Sequence, residues 1–360
     1  MNGDRLRVAR QRRAMTKKSL AEAMSVTPRT ITGWEADEYP PDEANLLGLA
    51  RVLEFPISFF ELDDTAKTST EAVSFRSLSK KTARQRDAVI AMCDIAKDVV
   101  AWIEDRFDVP VPSLPDLRGE DPALAATLLR RDWGLGNRSI KNMVHLLEAM
   151  GVRVFSLAEN CREIDACSFW SDDIPFVLLN TEVSNERCRF DLAHELGHLV
   201  LHKHAAPVGR EAENEANAFA SEFLMPEPSV RASNTEYWSI PALISKKKVW
   251  NVSASALAYR LHQLGLMSDW HFKSLNIELR RRGFKNQEPD GSAKEQSNIF
   301  EFVLERLREK GITLQFAANE MCIPLSELRG LIYGLAKVSI EGDVDPISSP
   351  KGRVHLRVVK

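Results

Sequence analysis

The sequence predicts an α+β protein in three parts: an all-α N-terminal domain, a central domain with a small, mainly antiparallel sheet, and a helical C-terminal region. Three observations lead to this class. Capping residues and prolines divide the first 62 residues into short helices. After Gly151 the apolar spacing changes from that of a helix to that of a strand. From about residue 239 the spacing is helical again, and "GRVHLRVV" near the end alternates as a terminal strand would.

The N-terminal helices are recognised by their first residues. Thr16 can cap one helix, and Thr27 followed by Pro28 is a cap with a proline at the first helical position. The predicted helices cover residues 5–13, 17–24, 28–35, 42–53 and 57–60. The polar stretch "LDDTAKTSTEA" lacks periodicity and is typical of a linker. We therefore expect a first domain at residues 1–64 and a linker at 65–82.

The central part alternates helices with a short β-region. "VRVFSL", "IDACSFW" and "IPFVLLN" indicate three strands, with "SDD" as the hairpin turn between the last two. Helices are predicted over residues 83–108, 121–132, 138–150, 185–203 and 211–224. We expect a catalytic-type domain at 83–230, a helical extension of it at 231–292, and a separate C-terminal region at 293–360.

Composition excludes several classes of protein. The chain is 44% hydrophobic and 28% charged with a net charge of −3, as in soluble globular proteins. Residues 1–34 carry eight basic and two acidic side chains, whereas residues 35–64 carry one basic and nine acidic ones. Five cysteines without a CxxC pair argue against a disulfide framework and a thiolate zinc site. No apolar run approaches the ~18 residues of a membrane span, so we expect a cytoplasmic protein without a membrane partner.

The stretch "RFDLAHELGHLVLHKH" carries a metal-binding motif. His194 and His198 are four residues apart, so one face of a helix presents both imidazoles to a single ion. A catalytic Zn²⁺ needs three protein ligands and one open position. Glu195 is placed to take a proton from water and is the predicted catalytic base. His202 and His204 are explained by a helix C-terminus, where histidines interact well with the backbone carbonyls, and are left out of the ligand set.

The third ligand is expected from "GREAENEANAFASEFLMP". Glu213 shares a helix face with Asn217 on the apolar side of this segment, whereas Glu215 points towards Phe219 and Glu222. Glu213 is therefore the predicted third ligand, with Glu215 as the alternative. Asn217 is the expected hydrogen-bonding partner behind the ligands.

"RFDLAHELGHLVLH", preceded by "IPFVLLN" and followed by "EAENEANAFASEFLMP", resembles the ImmA/IrrE family of zinc metallopeptidases. The likeness runs from about residue 75 to 290. It implies a gluzincin-like α/β fold with His194, His198 and Glu213 as ligands and Glu195 as the base. It further implies limited proteolysis of a repressor, which switches on stress or mobile-element genes. The substrate peptide would lie along an exposed sheet edge, for which "IPFVLLN" is the expected strand.

The N-terminal segment "TKKSLAEAMSVTPRTITGWE" has the spacing of a helix-turn-helix and resembles the XRE, or phage-repressor-like, DNA-binding domains over residues 4–62. The resemblance places the second helix in the major groove of double-stranded DNA. The residues it assigns to DNA contact are Lys17, Lys18, Thr27, Arg29, Thr30 and Thr32. Arg29 is the best candidate for reading a base, because guanidinium binds guanine through two hydrogen bonds.

Two positions depart from the XRE pattern. Position 17, commonly Gln, is Lys here, and Gly33 replaces a side chain that often reaches the groove. Fewer base contacts give more weight to the salt-dependent attraction of the phosphates. Arg10 and Glu35 resemble the structural ion pair of this family and are not expected to contact DNA. The alternative for this segment is a helical bundle that binds protein.

A second, degenerate helix-turn-helix-like element is suggested near the C-terminus. "TLQFAANEMCIPLSELRGL" aligns without a gap with "TKKSLAEAMSVTPRTITGW", with identical Thr, Ala, Met and Gly residues at 313, 318, 321 and 330. The second copy has lost the basic residues, so we expect it to pack or to bind protein.

Three functions are compatible with these features. The first is a DNA-binding regulator with a zinc-dependent endopeptidase domain that cleaves a repressor or partner protein in a stress, phage or mobile-element response. The second is a transcription factor whose zinc domain is a non-proteolytic sensor. The third is an antitoxin or phage-type repressor that acts by binding DNA and protein. Glu195 favours the first, because a sensor needs the ligands but not the base. We also expect a homodimer.

Overall fold

The structure is a computed structural model that describes residues 1–63, 82–157, 164–203, 209–284 and 287–337, and the backbone of residues 357–358. The chain divides into two compact units. Unit 1 comprises Met1–Val109, Phe155–Ile164 and Asn298–Lys360, and unit 2 comprises Pro110–Val154 and Asp165–Ser297. His204 and all but the last residue of the expected linker lie outside the described residues.

The element order confirms the predicted α+β class, with N-terminal helices, a small central sheet and a helical C-terminal region. The first elements are α1 (Gly3–Arg12), α2 (Lys17–Met24), α3 (Pro28–Glu35), α4 (Glu43–Leu53), a 3₁₀ helix (Ile57–Glu61), α5 (Ala83–Glu104), β1 (Phe107–Asp108), α6 (Pro122–Asp132) and α7 (Met143–Ala149). The central elements are β2 (Arg153–Ser156), β3 (Ala166–Ser171), β4 (Ile174–Leu179), α8 (Asn185–Leu201) and α9 (Arg210–Leu224). The last are α10 (Glu227–Ala232), α11 (Ile240–Lys247), α12 (Ala254–Gln263), α13 (Asp269–Arg281), α14 (Asn298–Glu309), α15 (Leu314–Glu320), α16 (Leu325–Ile332) and β5 (Arg357–Val358).

The N-terminal helices of unit 1 begin where the capping residues predict. The Thr16 and Thr27 side chains accept hydrogen bonds from backbone amides three residues on, which satisfies donors that a helix start leaves unpaired. Apolar side chains then bury one face of each helix. The fully buried ones among them include Leu6, Leu20, Ile31, Leu49, Leu53, Phe59 and Phe60.

The remainder of unit 1 is built on the long helix α5, which Thr82 and Gln85 cap reciprocally. α1 lies against α5, where Arg5 forms an ion pair of 2.6 Å with Asp98. After α5, β1 pairs with β5 in antiparallel orientation. The described part of the predicted terminal strand is therefore a strand.

The central sheet has the strand order β2-β4-β3. β3 and β4 form an antiparallel hairpin whose turn residues, Asp172 and Asp173, both have positive φ, as the tight "SDD" turn predicts. β4 is the central strand, with a neighbour on each side. The expectation that "IPFVLLN" offers an exposed edge is therefore wrong: its nearly continuous apolar sequence belongs to a strand buried in the middle of the sheet.

Unit 2 places α8 against β3, β4 and α9. α9 can approach closely because of Gly197, where a Cβ atom would lie 3.1 Å from the Phe219 ring and 3.3 Å from Ala216. α8 is thus enclosed by a sheet on one side and a helix on the other. Among the residues that the structure describes, no helix is long and apolar enough to cross a membrane.

Candidate metal centre and nucleic-acid interface

Two candidate ligands project from one face of α8. His194 and His198 are separated by one helical turn, and their Nε2 atoms lie 3.1 Å apart. Both side chains are almost completely buried, although an isolated polar group in an apolar interior is unfavourable. Two inward-facing imidazole nitrogens at this distance need a shared partner, and a cation can serve as one.

The neighbouring helix α9 supplies a carboxylate to the same point. The Glu213 oxygens lie 3.5 Å from His194 Nε2 and 3.4 Å from His198 Nε2. The potential ligand atoms of the three residues all fall within 4.8 Å of one another. Burial opposes ionisation of Glu213, but its hydrogen bonds with the two histidines outweigh this and lower its pKa to about 2. Glu213 is therefore a carboxylate across the physiological pH range.

The outward nitrogens of the two histidines are also bound. His194 Nδ1 lies 3.2 Å from Asn217 Oδ1, as expected of a partner behind the ligands. His198 Nδ1 lies 3.0 Å from His202 Nδ1, and His202 Nε2 lies 2.7 Å from Glu215 Oε2. Glu215 thus contacts His202 and lies outside the group formed by Glu213, His194 and His198.

One assignment of the imidazole protons is consistent with the contacts between His198, His202 and Glu215. If His198 presents its Nε2 lone pair to a cation, its Nδ1–H donates to His202 Nδ1, and His202 Nε2–H then donates to Glu215. Burial lowers the pKa of His202 despite the nearby Glu215, which favours the neutral ring that this pattern requires. The sequence suggested only a role at the helix end for His202. The signal that could have found its second role is its spacing of four residues from His198.

Glu195 is held by the edge of the sheet. The Ser168 hydroxyl on β3 donates a hydrogen bond of 2.6 Å to Glu195 Oε2, and both side chains are buried. The Trp170 indole on the same strand donates to the carbonyl of Leu199, which fixes β3 against α8. Ser168 was missed in the sequence, because a single serine in an apolar strand gives no signal of its own.

The N-terminal helices form a helix-turn-helix. Ser25, the residue after α2, has a φ of 55°, and α3 begins after Thr27. Ile31 and Trp34 on α3 are buried, whereas Arg29 and Thr32 on the opposite face are exposed. The six residues predicted to contact DNA all lie on these two helices or at the cap between them, and all are at least partly exposed: Lys17, Lys18, Thr27, Arg29, Thr30 and Thr32.

These polar side chains differ in what they already bind. Glu35 forms the expected ion pair with Arg10, at 2.5 Å, and also contacts Lys17 Nζ at 3.2 Å. Lys17 is therefore partly neutralised within the domain, whereas the Lys18 side chain is 79% exposed and makes only a long contact of 3.9 Å with the exposed Glu22. Thr27 caps α3 and also contacts the hydroxyl of Thr30. Arg29 and Lys18 consequently have the most freedom to reach a ligand.

Gly33 follows Arg29 by one turn of α3, yet it is buried. Tyr39 packs over Gly33, since a Cβ atom at Gly33 would lie 2.7 Å from the Tyr39 ring. The loop is held in place: Asp37 accepts from the amide of Gly3, and the amide of Glu38 donates to the Gly33 carbonyl. Tyr39 remains 44% exposed and occupies the place of the absent side chain. The sequence showed the gap at Gly33 but not the residue that fills it.

Two family models match the chain, one over each of these two regions. Residues 6–60 match the model of the helix-turn-helix family, and residues 147–262 match that of the IrrE N-terminal-like domain, peptidase family M78. The chain joins an XRE-type helix-turn-helix domain to an IrrE-like domain. No curated protein matches the chain significantly. A helix-turn-helix domain implies DNA binding, so the protein is a regulator with a metallopeptidase-like domain.

The donor set of the IrrE-like domain suits Zn²⁺. Two neutral imidazoles and one carboxylate are borderline and hard donors that zinc accepts in catalytic sites, and three ligands leave a fourth position open. The family is generally zinc-dependent. Asn217 Oδ1 and His202 Nδ1 contact the Nδ1 atoms of the two histidines, which leaves both Nε2 atoms directed towards Glu213.

Proposed function

We propose that this protein is a DNA-binding transcriptional regulator whose IrrE-like domain is a zinc-dependent endopeptidase. Its substrate would be a repressor or partner protein in a stress, phage or mobile-element response. One observation supports this most: the potential ligand atoms of His194, His198 and Glu213 lie within 4.8 Å of one another, and Glu195 follows His194 on the same helix. A site with ligands and a base can hydrolyse a peptide bond, whereas a purely sensory site needs the ligands alone.

The proposed roles follow from the contacts. His194, His198 and Glu213 would hold Zn²⁺, with Glu215 acting only through His202. An ion held there would supply Lewis-acid chemistry, which polarises a peptide carbonyl and lowers the pKa of water towards about 7. Asn217 and the His202–Glu215 pair orient the two imidazoles, so the ligand geometry exists before the ion arrives.

Glu195 would move the proton of the attacking water to the leaving amine. Ser168 donates to one oxygen of its carboxylate and so fixes the side chain in one orientation. Fixed orientation matters because a general base works only within hydrogen-bonding distance of the proton that it removes. The surrounding apolar residues exclude bulk water and strengthen every electrostatic interaction at the site.

The substrate would bind along β3. In the sheet formed by the described residues β3 is an outer strand, and it lies directly over α8 next to Glu195. An extended peptide can pair with such an edge through backbone hydrogen bonds and bring its scissile bond to the metal. This replaces the edge that the sequence suggested on β4.

Duplex DNA would bind the exposed face of α2 and α3. Arg29 and Thr32 would meet base edges in the major groove, and Lys18 would meet a phosphate. Tyr39 would contact the bases that a side chain at position 33 would otherwise reach.

The contact proposed for Tyr39 is tested with an operator duplex selected from random-sequence DNA. Loss of a base contact of this kind should make Tyr39→Ala weaken binding to that duplex at least about fivefold. The control is Tyr237→Ala, which removes another exposed tyrosine ring from unit 2. Equal affinity of Tyr39→Ala and wild type would exclude a DNA contact for Tyr39.

The protease proposal is tested by Glu195→Gln in the native host, with Ser168 and the metal ligands intact. Proteome and transcriptome are compared with wild type, and bound zinc is measured on the purified variant. We expect unchanged zinc content, accumulation of at least one uncut protein, and loss of the transcriptional response.

The same experiment separates the alternatives. If Glu195→Gln binds zinc and leaves both profiles as in wild type, the endopeptidase proposal fails. A response that then requires His194 would favour the non-proteolytic sensor. A response that requires Arg29 but neither His194 nor Glu195 would favour the antitoxin or phage-type repressor. Glu186→Gln is unsuitable as a control because Glu186 is buried among charged partners, so the more accessible Glu211→Gln is used.

A further inference from the structure

The last three described helices of unit 1 repeat the architecture of the first three. With Thr313 aligned on Thr16 and no gap, α16 coincides with α3 residue for residue, and α14 ends where α1 ends. Both threonines cap their helix by accepting from the amide three residues on. We call α1–α3 the first repeat and α14–α16 the second repeat.

The backbone turns coincide as well. Residues with left-handed φ occupy matching positions three times: Ala14 (52°) and Gly311 (66°), Ser25 (55°) and Cys322 (56°), Asp37 (53°) and Gly334 (72°). The helix-turn-helix turn is closed by the same hydrogen bond in each repeat, from Val26 to Ala21 and from Ile323 to Ala318, both at 3.0 Å. Non-glycine residues adopt this conformation rarely, so a threefold match indicates the same fold.

An ion pair inside the first repeat is replaced by two apolar residues in the second repeat. The ion pair between Arg10 and Glu35 in the first repeat falls on Leu307 and Ile332 in the second. Both of these are buried and line one small apolar cavity with side chains of α5. Two charges that pair are replaced by two apolar residues, and neither replacement leaves a buried charge without its partner.

The surface has lost its DNA-binding chemistry. Lys17, Lys18 and Arg29 correspond to Leu314, Gln315 and Ser326. On the corresponding surface Arg329, at the position of Thr32, is the one basic side chain, so the second repeat has much less of the attraction to phosphates that dominates DNA affinity.

The helix that corresponds to the recognition helix carries two charges, an exposed one on Arg329 and a buried one on Glu327. Glu327 of α16 corresponds to Thr30 of α3 and is 3% exposed. Its two oxygens accept from Arg12 Nε at 2.7 Å and from Arg13 Nη1 at 2.6 Å, at the C-terminal end of α1. A buried carboxylate of this kind is tolerated because each oxygen meets a guanidinium.

We propose that the second repeat is a helix-turn-helix unit that has exchanged DNA for protein, and that Glu327 on its recognition helix binds the adjacent arginines of the first repeat. The DNA-binding domain is then held at two points of α1, by Asp98 of α5 near its start and by Glu327 at its end. The role of the second repeat is to fix the first repeat on α5.

The test uses the full chain and hydrogen–deuterium exchange. In Glu327→Gln we expect the protection of α1 amides to fall at least tenfold, while amides of α8 keep theirs. The control is Glu309→Gln on α14, whose side chain is 59% exposed and pairs with Arg306 of the same helix. Equal protection of α1 in Glu327→Gln and wild type would overturn the proposal.

A double-mutant cycle keeps the test valid if Glu327→Gln is poorly folded. Arg12→Met and Glu327→Met are combined, since Met approximates both side chains in length without charge. We expect the double variant to lose less α1 protection than the product of the two single effects. Strictly multiplicative losses would mean that the two residues act independently, which contradicts a binding role for Glu327.

Discussion

Asp191 allows a quantitative test of how strongly burial around α8 opposes the ionisation of a carboxyl group. It precedes His194 by one turn, and burial, with smaller contributions from Asp165 and Glu195, raises its pKa from 3.8 to about 7. Arg187 and His194 act in the opposite direction but do not compensate. The folded state therefore holds a proton on Asp191 at pH values where the unfolded chain has lost it.

The sign of the effect follows from this difference in pKa. Below about pH 4 both states are protonated, and Asp191 leaves stability unchanged. Between about pH 4 and 7 the folded state binds the extra proton, so this group makes stability fall as pH rises. The shift of about three units corresponds to a cost on the order of 4 kcal/mol above pH 7. Asp191→Asn removes the charge and keeps the shape.

Thermal unfolding of metal-free protein measures this cost. At about pH 8 we expect Asp191→Asn to raise the unfolding temperature of unit 2 by roughly 10 °C, which is about 4 kcal/mol for a unit of this size. At about pH 4 the two proteins should unfold together. Asp132→Asn, at an exposed position on α6, is the control and should have no pH-dependent effect. A gain that is equal at both pH values would refute the reasoning, because it would not arise from ionisation.

Three further predictions concern the metal and DNA. Glu213→Ala should abolish stoichiometric zinc binding, measured by elemental analysis after dialysis, whereas Glu215→Ala should retain zinc; full metal content in Glu213→Ala would contradict the ligand assignment. His202→Asn should weaken zinc affinity about 10- to 100-fold in chelator competition, because it removes the contact that orients His198 but leaves all three ligands in place. Arg29→Ala should cost about 1–3 kcal/mol of operator binding and relax base preference, whereas Lys18→Ala should weaken all duplexes alike and reduce the salt slope by about one.

The sequence contained enough information for the elements and for the spacing of His194 and His198. Threonine caps mark α2 and α3, short apolar runs after Gly151 mark β2–β4, and HELGH places two imidazoles on one helix face. These are local signals, in which neighbours along the chain determine geometry. The choice of Glu213 over Glu215 also rested on helix periodicity, and the structure places Glu213 beside the histidines.

What the sequence did not reveal depends on contacts between distant segments. Strand order cannot be read from an apolar run, so β4 was expected at an edge although it lies between β2 and β3. The role of Ser168 depends on its hydrogen bond to Glu195, which is 27 positions away in the sequence. Tyr39 likewise gains its position from a loop that folds back over Gly33.

The second repeat shows why the fold of a segment and its binding partner are recognised from different residues. It shares few identical residues with the first repeat, yet the left-handed positions, the threonine cap and the buried spacing are the same, because these determine how the chain folds. The exposed residues that would bind DNA are free to differ without loss of the fold, and here they do differ. The helix-turn-helix family model matches residues 6–60. The fold of residues 298–334 is therefore recognised from backbone geometry, while its partner is recognised from a single buried charge, Glu327.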